Sequence, residues 1–196
     1  VGYGFAIPSN IVAKTIDDIK NYGEVQRGFL GIEVVDVDGE MTEKLGGKNG
    51  VLIKRITGTN AAADGKLEAG DLIIRVDGKL IDSKATYDER IAYLRPGDIA
   101  KLEILRDNET KSFNIALVNK EGNTKLLKKE SVISETLGGE FELISKLERD
   151  SYRIPNGIKV SNVSTGKLRQ MGIDNGFIFV KVNGKPSNDV YDLIQL

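Results

Sequence analysis

The sequence contains an internal repeat, and this repeat restricts the possible folds more than any other feature. Residues 50–53 (Gly-Val-Leu-Ile) match residues 157–160 (Gly-Ile-Lys-Val) at an offset of 107 positions. Residues 69–79 match residues 175–185 at an offset of 106, and these segments end in Asp-Gly-Lys and Asn-Gly-Lys. Matches at a nearly constant offset indicate a tandem duplication, so the chain is predicted to fold as two similar units.

Each copy consists of short apolar segments separated by glycine, asparagine and aspartate, a pattern typical of β-strands joined by tight turns. A chain of 196 residues can form two domains of about 100 residues each. The predicted fold class is mainly β with short helices (α+β), in which each copy is a partly open β-barrel capped by two helices. In the first copy we predict strands at residues 31–37, 51–56, 71–76, 99–106 and 111–117 and helices at residues 60–67 and 84–94.

Residues 1–24 precede the first copy and indicate one strand and one helix. Apolar and small residues alternate over residues 3–7, as in a half-buried strand. A helix is predicted to follow, capped by Ser9 or Asn10 and ended by Gly23. Because one strand and one helix cannot bury a core alone, this segment must pack against the first copy or against something outside this sequence.

A polar, lysine-rich segment separates the two copies. Residues 119–130 have the composition of a linker, and the second copy follows at residues 131–196. At an offset of 106 the counterpart of Ile91 would be residue 197, so the second copy is expected to stop within its second helix. The chain also begins with Val1 instead of methionine, and we expect it to be a fragment.

Charge and composition argue against several functions. The net charge is -1 and no basic stripe is present, so we expect no nucleic-acid partner. No apolar run approaches the roughly 20 residues that a membrane-spanning helix requires. The sequence has no cysteine and no histidine, so it supplies neither a zinc–cysteine site nor a Ser-His-Asp triad. We predict no catalytic residues, no metal and no cofactor in this chain.

The candidate binding motif is a hexapeptide at the head of the first copy. A glycine between two apolar residues at a strand start lets successive backbone N–H groups turn toward one point, and such a nest binds a carboxylate. The arginine at its head adds charge attraction. The residues of this motif are Arg27, Gly28, Phe29, Leu30, Gly31 and Ile32.

The strand after the hexapeptide is predicted to leave one edge free, where an extended peptide can pair through main-chain hydrogen bonds. An apolar pocket behind the hexapeptide would select the terminal side chain of that peptide. The alternative is that the hexapeptide is only a turn into a core strand, with no ligand. The predicted pocket and edge residues are Leu30, Ile32, Val34, Tyr87, Ile91 and Leu94.

Three segments resemble a known protein family. Residues 2–9 (Gly-Tyr-Gly-Phe-Ala-Ile-Pro-Ser) resemble the last strand of the protease domain in HtrA/DegP/DegQ-type serine proteases. Residues 27–32 are similar to the carboxylate-binding loop of the first PDZ domain in these proteases. Residues 65–73 resemble the "GLxxGDxI" stretch of their PDZ domains. The resemblance extends over essentially all of the chain.

The resemblance implies a domain order and a parent protein. Residues 1–24 would end a trypsin-like protease domain, residues 25–118 would form the first PDZ domain, residues 119–130 a linker and residues 131–196 a second, truncated PDZ domain. The parent would be a periplasmic serine endopeptidase of protein quality control, with its catalytic His, Asp and Ser upstream of Val1. Its implied partners are peptides or unfolded proteins, the protease domain of the same chain, and further subunits in a trimer-based homo-oligomer.

The second copy departs from the family pattern at its own loop. The counterpart segment is Leu137, Gly138 and Gly139, with glycine where the first copy has Ile32. The Gly-Asp pair of the third motif becomes glycine followed by Phe177. Carboxylate capture is therefore in doubt for the second copy, and packing between subunits is an equal alternative.

The leading hypothesis is a pair of PDZ domains that bind peptide and regulate a protease. The alternative is a non-catalytic scaffold in which the two units mainly drive oligomer assembly. A small independent enzyme is a third possibility, which the absence of histidine disfavours.

Overall fold

The computed structural model describes residues 7–37, 39, 47–58 and 66–194, with the backbone alone at residue 192. Most of the strand predicted at residues 3–7 and of the helix predicted at residues 60–67 lies outside the described residues. The chain forms two compact units, Val1–Lys128 (unit 1) and Lys129–Leu196 (unit 2). The boundary falls within the polar segment that separates the two copies.

Helix α1 spans Ser9–Tyr22 and ends at Gly23, whose φ of 76° is left-handed and whose N–H bonds to a carbonyl of the last turn. The prediction of a side-chain cap at Ser9 or Asn10 was wrong. Pro8 is the N-cap residue, and no side chain caps the helix. The Pro8 carbonyl accepts hydrogen bonds from the N–H groups of Ile11 and Val12 at 3.0 and 3.2 Å, so Ser9 already lies within the helix.

Three apolar side chains of α1 face solvent. Val12, Ile16 and Ile19 are 41%, 61% and 52% exposed, whereas Asp18 is fully buried. Helix α1 therefore packs on the rest of unit 1 chiefly through polar side chains, which is the reverse of the usual amphipathic arrangement.

Unit 1 is built on one antiparallel sheet of six strands. Its order is β1-β2-β3-β5-β6, and the short β4 pairs with β3. The strand positions agree with the predicted segments, as expected for short apolar runs between glycine turns. The strands are β1 Ile32–Asp36, β2 Val51–Ile56, β3 Leu72–Val76, β4 Lys79–Leu80, β5 Ile99–Arg106 and β6 Glu109–Ala116.

The two ends of this sheet meet at one point. Phe29, just before β1, exchanges backbone hydrogen bonds of 2.8 and 3.0 Å with Val118, just after β6. Beyond this bridge the sheet stays open, so unit 1 is a partly open barrel and not a closed one. The hairpin turns at Asp77–Gly78 and Asp107–Asn108 consist of residues with left-handed φ.

Helix α2 spans Lys84–Ala92 and covers the core of unit 1. The Ser83 hydroxyl accepts the N–H of Thr86 as an N-cap. Tyr87 is buried in the core, and Ile91 and Leu94 pack against it. The core itself is composed of apolar side chains from the strands of the sheet, including Val51, Ile53, Ile73, Val76, Leu102 and Ile104.

Unit 2 is smaller and contains two small sheets and three short helices among its described residues. Strands β10-β9-β8-β7 form one antiparallel sheet, and β11 pairs with β12. These elements are β7 Val132–Ser134, β8 Gly139–Leu143, α3 Lys146–Tyr152, β9 Ile158–Val163, α4 Lys167–Gln170, β10 Ile178–Phe179, β11 Lys181–Val182, β12 Lys185–Pro186 and α5 Tyr191–Ile194.

The duplication is present in individual backbone hydrogen bonds. Each of several bonds in unit 1 has a counterpart in unit 2 at an offset of 106 or 107 positions. Both units also have a bulge at the same place in the first ladder, at residues 33/34 and 140/141. The paired bonds include Thr57 N–H to Gly31 O with Ser164 N–H to Gly138 O, Gly70 N–H to Ile53 O with Gly176 N–H to Val160 O, and Ile81 N–H to Ile74 O with Ser187 N–H to Val180 O.

A buried ion pair closes the far end of unit 1. Asp71 is 1% exposed, and its two carboxylate oxygens accept from Arg106 Nε and Nη2 at 2.6 and 2.7 Å. The same carboxylate accepts the N–H of Glu68 at 2.8 Å. Arg106 is the last residue of β5, so this pair ties the turn before β3 to the hairpin.

Replacing Arg106 with methionine should destabilise unit 1 by about 3–5 kcal/mol, because Asp71 would remain as an uncompensated buried charge. Urea unfolding followed by circular dichroism measures this loss. Arg75→Met is the matched control, since Arg75 pairs with Glu103 at 3.5 Å on the surface of the same sheet. The Arg75→Met control should lower the free energy of unfolding by less than about 1 kcal/mol. Equal losses for the two variants would contradict a stabilising role for the buried Asp71–Arg106 pair.

Candidate peptide-binding site

The hexapeptide at residues 27–32 (the binding loop) is fixed by backbone contacts at both ends. Gly31 adopts a φ of 70°, and its carbonyl accepts the N–H groups of Thr57 and Gly58 at 2.8 and 3.2 Å. The Phe29 N–H bonds to Val118, so it does not belong to an anion nest. Together these contacts hold the turn between the sheet ends and the start of β1.

Two N–H groups of the binding loop are available to a ligand. Those of Leu30 and Gly31 donate to no acceptor among the described residues. Because the Gly31 carbonyl faces β2, the alternation of an antiparallel ladder turns the N–H of Ile32 outward. Three consecutive N–H groups at the end of a strand are the arrangement that a carboxylate requires.

The outer edge of β1 continues this donor set. Among the strands that the structure describes, β1 is the terminal strand of its sheet. Val34 lies opposite Ile53, and both backbone groups of Ile53 bond toward β3, to Asp71 O and Gly70 N–H. Val34 therefore directs its own N–H and C=O away from β2. Ile32 and Val34 together form an unpaired edge (the free edge), where an extended peptide can add as a strand.

The structure divides the predicted pocket residues into two groups. Leu30, Val34 and Tyr87 are 3%, 6% and 7% exposed and belong to the buried core. Ile32, Ile91 and Leu94 are partly buried and pack on that core. The second group retains surface that can meet a ligand, whereas Val34 offers chiefly its backbone. Burial, with a smaller contribution from nearby Asp88, raises the pKa of Tyr87 well above its usual value, so its hydroxyl stays neutral.

Helix α2 runs beside β1, with its amino end at the far end of the strand. The Lys84 N–H bonds to the Asp36 carboxylate at the end of β1. At the other end, the Arg95 carbonyl carbon lies 3.2 Å from the position that a Cβ on Gly28 would occupy. The free edge, α2 and the binding loop therefore enclose one groove that is closed at the loop.

One face of α2 was not predicted from the sequence. Thr86, Arg90 and Tyr93 follow the spacing of four and three residues that defines a helix face, and all three are half-buried. The Nε of Arg90 is buried without a hydrogen-bond partner in the described part of the chain. The spacing is present in the sequence, but the apolar residues Tyr87 and Ile91 of the same helix indicate a different face.

The charges around the groove are mixed. Arg27 is exposed at the head of the binding loop. On β1, Glu33 pairs with Lys54 at 2.9 Å and with Arg55. Hydrogen bonds from these two cations hold the pKa of Glu33 below its usual value, so this carboxylate is ionised at neutral pH. Within the described ranges, no group of three or more acidic side chains lies close enough to hold a metal ion.

The loop of unit 2 has the same backbone shape but different hydrogen bonds. Gly138 has a φ of 74°, and its N–H donates to Ser134 O at 2.9 Å. The Leu137 N–H donates to the Ser134 hydroxyl at 3.3 Å. The two N–H groups that match those available in unit 1 are thus occupied internally.

A side chain also fills the place of Ile32 in unit 2. A Cβ on Gly139 would lie 2.7 Å from Cδ1 of Leu168, which is buried in the core of unit 2. The Leu168 N–H donates to Leu137 O at 3.0 Å, which holds α4 on the loop. The glycine at position 139 therefore makes room for α4.

The PDZ domain family profile matches residues 28–117, the segment that contains the binding loop, the sheet and α2. This part of unit 1 is a PDZ domain. Over its whole length the chain is homologous to the DegP/HtrA periplasmic serine endoproteases. It is 28% identical over 196 residues to the periplasmic serine endoprotease DegP of Escherichia coli, covering 98% of the chain and 39% of that protein.

A second curated relative and a solved structure are also proteases of the DegP/HtrA type. The chain is 24% identical over 198 residues to a probable DegP-like periplasmic serine endoprotease of a Marinomonas species, covering 100% of the chain and 42% of that protein. Among solved structures, a variant of the HtrA-type protease AlgW with decapeptide has a TM-score of 0.51 and 28% identity, covering 59% of this chain and 36% of that one. The chain thus spans about two fifths of the length of these curated relatives.

Replacing Gly28 with alanine should distort the binding loop. The new Cβ would lie 2.5 Å from Cδ2 of Leu117, which is fully buried and cannot move aside. We expect a loss of about 1–3 kcal/mol in the free energy of unfolding, measured by urea denaturation. Gly39→Ala is the control, because a Cβ at Gly39 would meet no atom of the described residues within 4 Å. Equal stability of Gly28→Ala and the unmodified protein would contradict this packing.

Proposed function

We propose that unit 1 captures extended or unfolded polypeptide by its free, apolar carboxyl terminus. The observation that carries this proposal is the pair of available N–H groups at Leu30 and Gly31, placed directly before the free edge of β1. The carboxylate would accept from these N–H groups and from that of Ile32. The preceding peptide residues would pair with β1.

The side chains around the loop support apolar selectivity. Ile32, Ile91 and Leu94 supply the apolar surface for the terminal side chain of the peptide, and Arg27 attracts its charge. Main-chain pairing contributes affinity that is independent of sequence, so the site suits polypeptides of many sequences. This breadth fits a protein that binds damaged or unfolded chains.

The parent protein is proposed to be a periplasmic serine endopeptidase of protein quality control, in line with the names of its relatives. Its protease domain would precede unit 1 in the same chain, and the whole would assemble as a trimer-based homo-oligomer. Peptide bound at the loop would regulate that domain by favouring one of two conformations, to the extent that the peptide binds one of them more tightly.

Unit 2 is proposed to be a structural partner without a carboxylate site of its own. Ser134 already accepts from both Leu137 and Gly138, and Leu168 occupies the position of the pocket wall. A ligand carboxylate would have to displace these contacts.

Peptides with an apolar free carboxyl terminus should bind unit 1, and amidation of that terminus should weaken binding by about 10- to 100-fold. The reason is that hydrogen bonds to a charged acceptor contribute about 1.5–3 kcal/mol. Fluorescence anisotropy with a labelled peptide measures both affinities. Equal affinity for the acid and the amide would show that the carboxylate nest is not used.

The Arg27→Gln variant tests whether the peptide site lies on unit 1. Binding should weaken about two- to fivefold at low salt and less at high salt, because Arg27 acts as an exposed charge. Arg153→Gln is the matched control, since Arg153 is an exposed arginine of unit 2. A larger effect at Arg153 than at Arg27 would move the site to unit 2.

A second candidate function is an assembly scaffold, favoured by the exposed apolar side chains of unit 2. Ile133 and Met171 are 73% and 70% exposed, and Tyr191 is 57% exposed. This function predicts a molar mass that rises with protein concentration in light scattering, together with no binding of the free-acid peptide. Peptide binding by a protein of constant mass excludes it.

A further inference from the structure

Gln26, the residue directly before the binding loop, is fixed by hydrogen bonds of both its backbone and its side chain. It is 3% exposed. Its N–H donates to Asp18 Oδ2 at 3.0 Å, and its carbonyl accepts from Lys14 Nζ at 2.6 Å. Its side-chain amide pairs with both backbone groups of Leu127 at 2.8 Å. Helix α1 and the segment after β6 are thereby joined at the entrance to the loop.

Asp18 is the centre of this arrangement. It is fully buried and accepts from Lys14 Nζ at 3.0 Å as well as from Gln26. Its second oxygen accepts from Arg95 Nε at 2.8 Å, and Arg95 also reaches the exposed Asp17 at 2.7 Å. Burial alone would raise the pKa of Asp18, but the bonds from Lys14, Gln26 and Arg95 hold it below its usual value.

Asp18 reaches the binding loop along two routes. Through Gln26 it fixes the backbone two residues before Gly28. Through Arg95 it fixes the turn after α2, whose backbone lies against Gly28. Both walls at the start of the loop are therefore held by one carboxylate on α1.

Stability alone does not account for this carboxylate. A buried ion pair is a poor source of stability, because desolvation offsets most of its attraction. It does impose a fixed geometry, since each oxygen must meet its own donors. Binding groups require such support, because small displacements of the donors weaken a site.

We propose that Asp18 is a positioning residue of the peptide site. It holds Gln26 and Arg95 so that the N–H groups of Leu30 and Gly31 face the peptide carboxylate, and it makes α1 and the binding loop move together. This inference rests on the proposed function of unit 1.

The test compares Asp18→Asn with two matched variants in the full chain. The carboxamide would place donor hydrogens among the donors of Lys14, Gln26 and Arg95. We expect affinity for the free-acid peptide to fall about tenfold, by analogy with outer-shell partners of metal ligands, whose loss costs about 10- to 100-fold in affinity. Asp150→Asn, at an exposed aspartate of unit 2, and Asp71→Asn should leave affinity unchanged, the latter despite the loss of a buried ion pair at the far end of unit 1.

Hydrogen exchange supplies a readout that a merely stabilising residue would not move. In the unmodified protein, peptide binding should slow exchange in both residues 26–31 and the last turn of α1. In Asp18→Asn, any protection by peptide should remain confined to the loop. Asp71→Asn should show the unmodified pattern, although its melting temperature falls.

Each outcome decides the proposal. Unchanged affinity in Asp18→Asn, or equal losses in Asp18→Asn and Asp71→Asn, overturns it. If Asp18→Asn does not fold, Lys14→Met takes its place. This variant removes the bonds of Lys14 to the Gln26 carbonyl and to Asp18 but keeps the bonds of Asp18 to the Gln26 N–H and to Arg95, and unchanged affinity there also overturns the proposal. Failure of the unmodified protein to bind the free-acid peptide overturns the proposed function, and this inference with it.

Discussion

The arrangement of both units depends on one glycine carbonyl at the start of a strand. In unit 1 the carbonyl of Gly31 accepts Thr57 and Gly58, and in unit 2 the carbonyl of Gly138 accepts Ser164. Because this carbonyl faces the neighbouring strand, the next N–H must face outward. The left-handed φ that this turn requires is the reason for glycine at both positions. In unit 1 this orientation turns the N–H of Ile32 toward the free edge, whereas in unit 2 β7 pairs with the corresponding side of β8.

The two units differ at this loop in a few side chains and in one strand pairing, because β7 pairs with the side of β8 that corresponds to the free edge of β1. In unit 1 the turn is left open, and Ile32 contributes apolar surface. In unit 2 Ser134 accepts hydrogen bonds from two N–H groups of the loop, and the Leu168 side chain lies in the space beside Gly139. A duplicated fold can thus keep its hydrogen-bond register while only one copy retains groups for a ligand.

Strands, turns and the duplication could be predicted from the sequence because they depend on local patterns. Helix α3 was missed, although Ser145 and Glu148 form a capping box that the sequence displays. The burial of Val34 could not be predicted, because a short apolar strand does not reveal which side chains reach the core. The contact of Asp18 with Arg95 could not be predicted either, because Arg95 is 77 positions away along the chain.

The pairing of Gln26 with Leu127 determines how unit 1 would carry tension. Gln26 lies just before the PDZ domain and Leu127 lies after its end, and two hydrogen bonds join these two residues. A pull on α1 and on the segment after residue 127 would load this amide pair before it reached the sheet. A protein that engages a chain under strain could in this way keep its groove intact, with the peptide still held, until the pair itself separates.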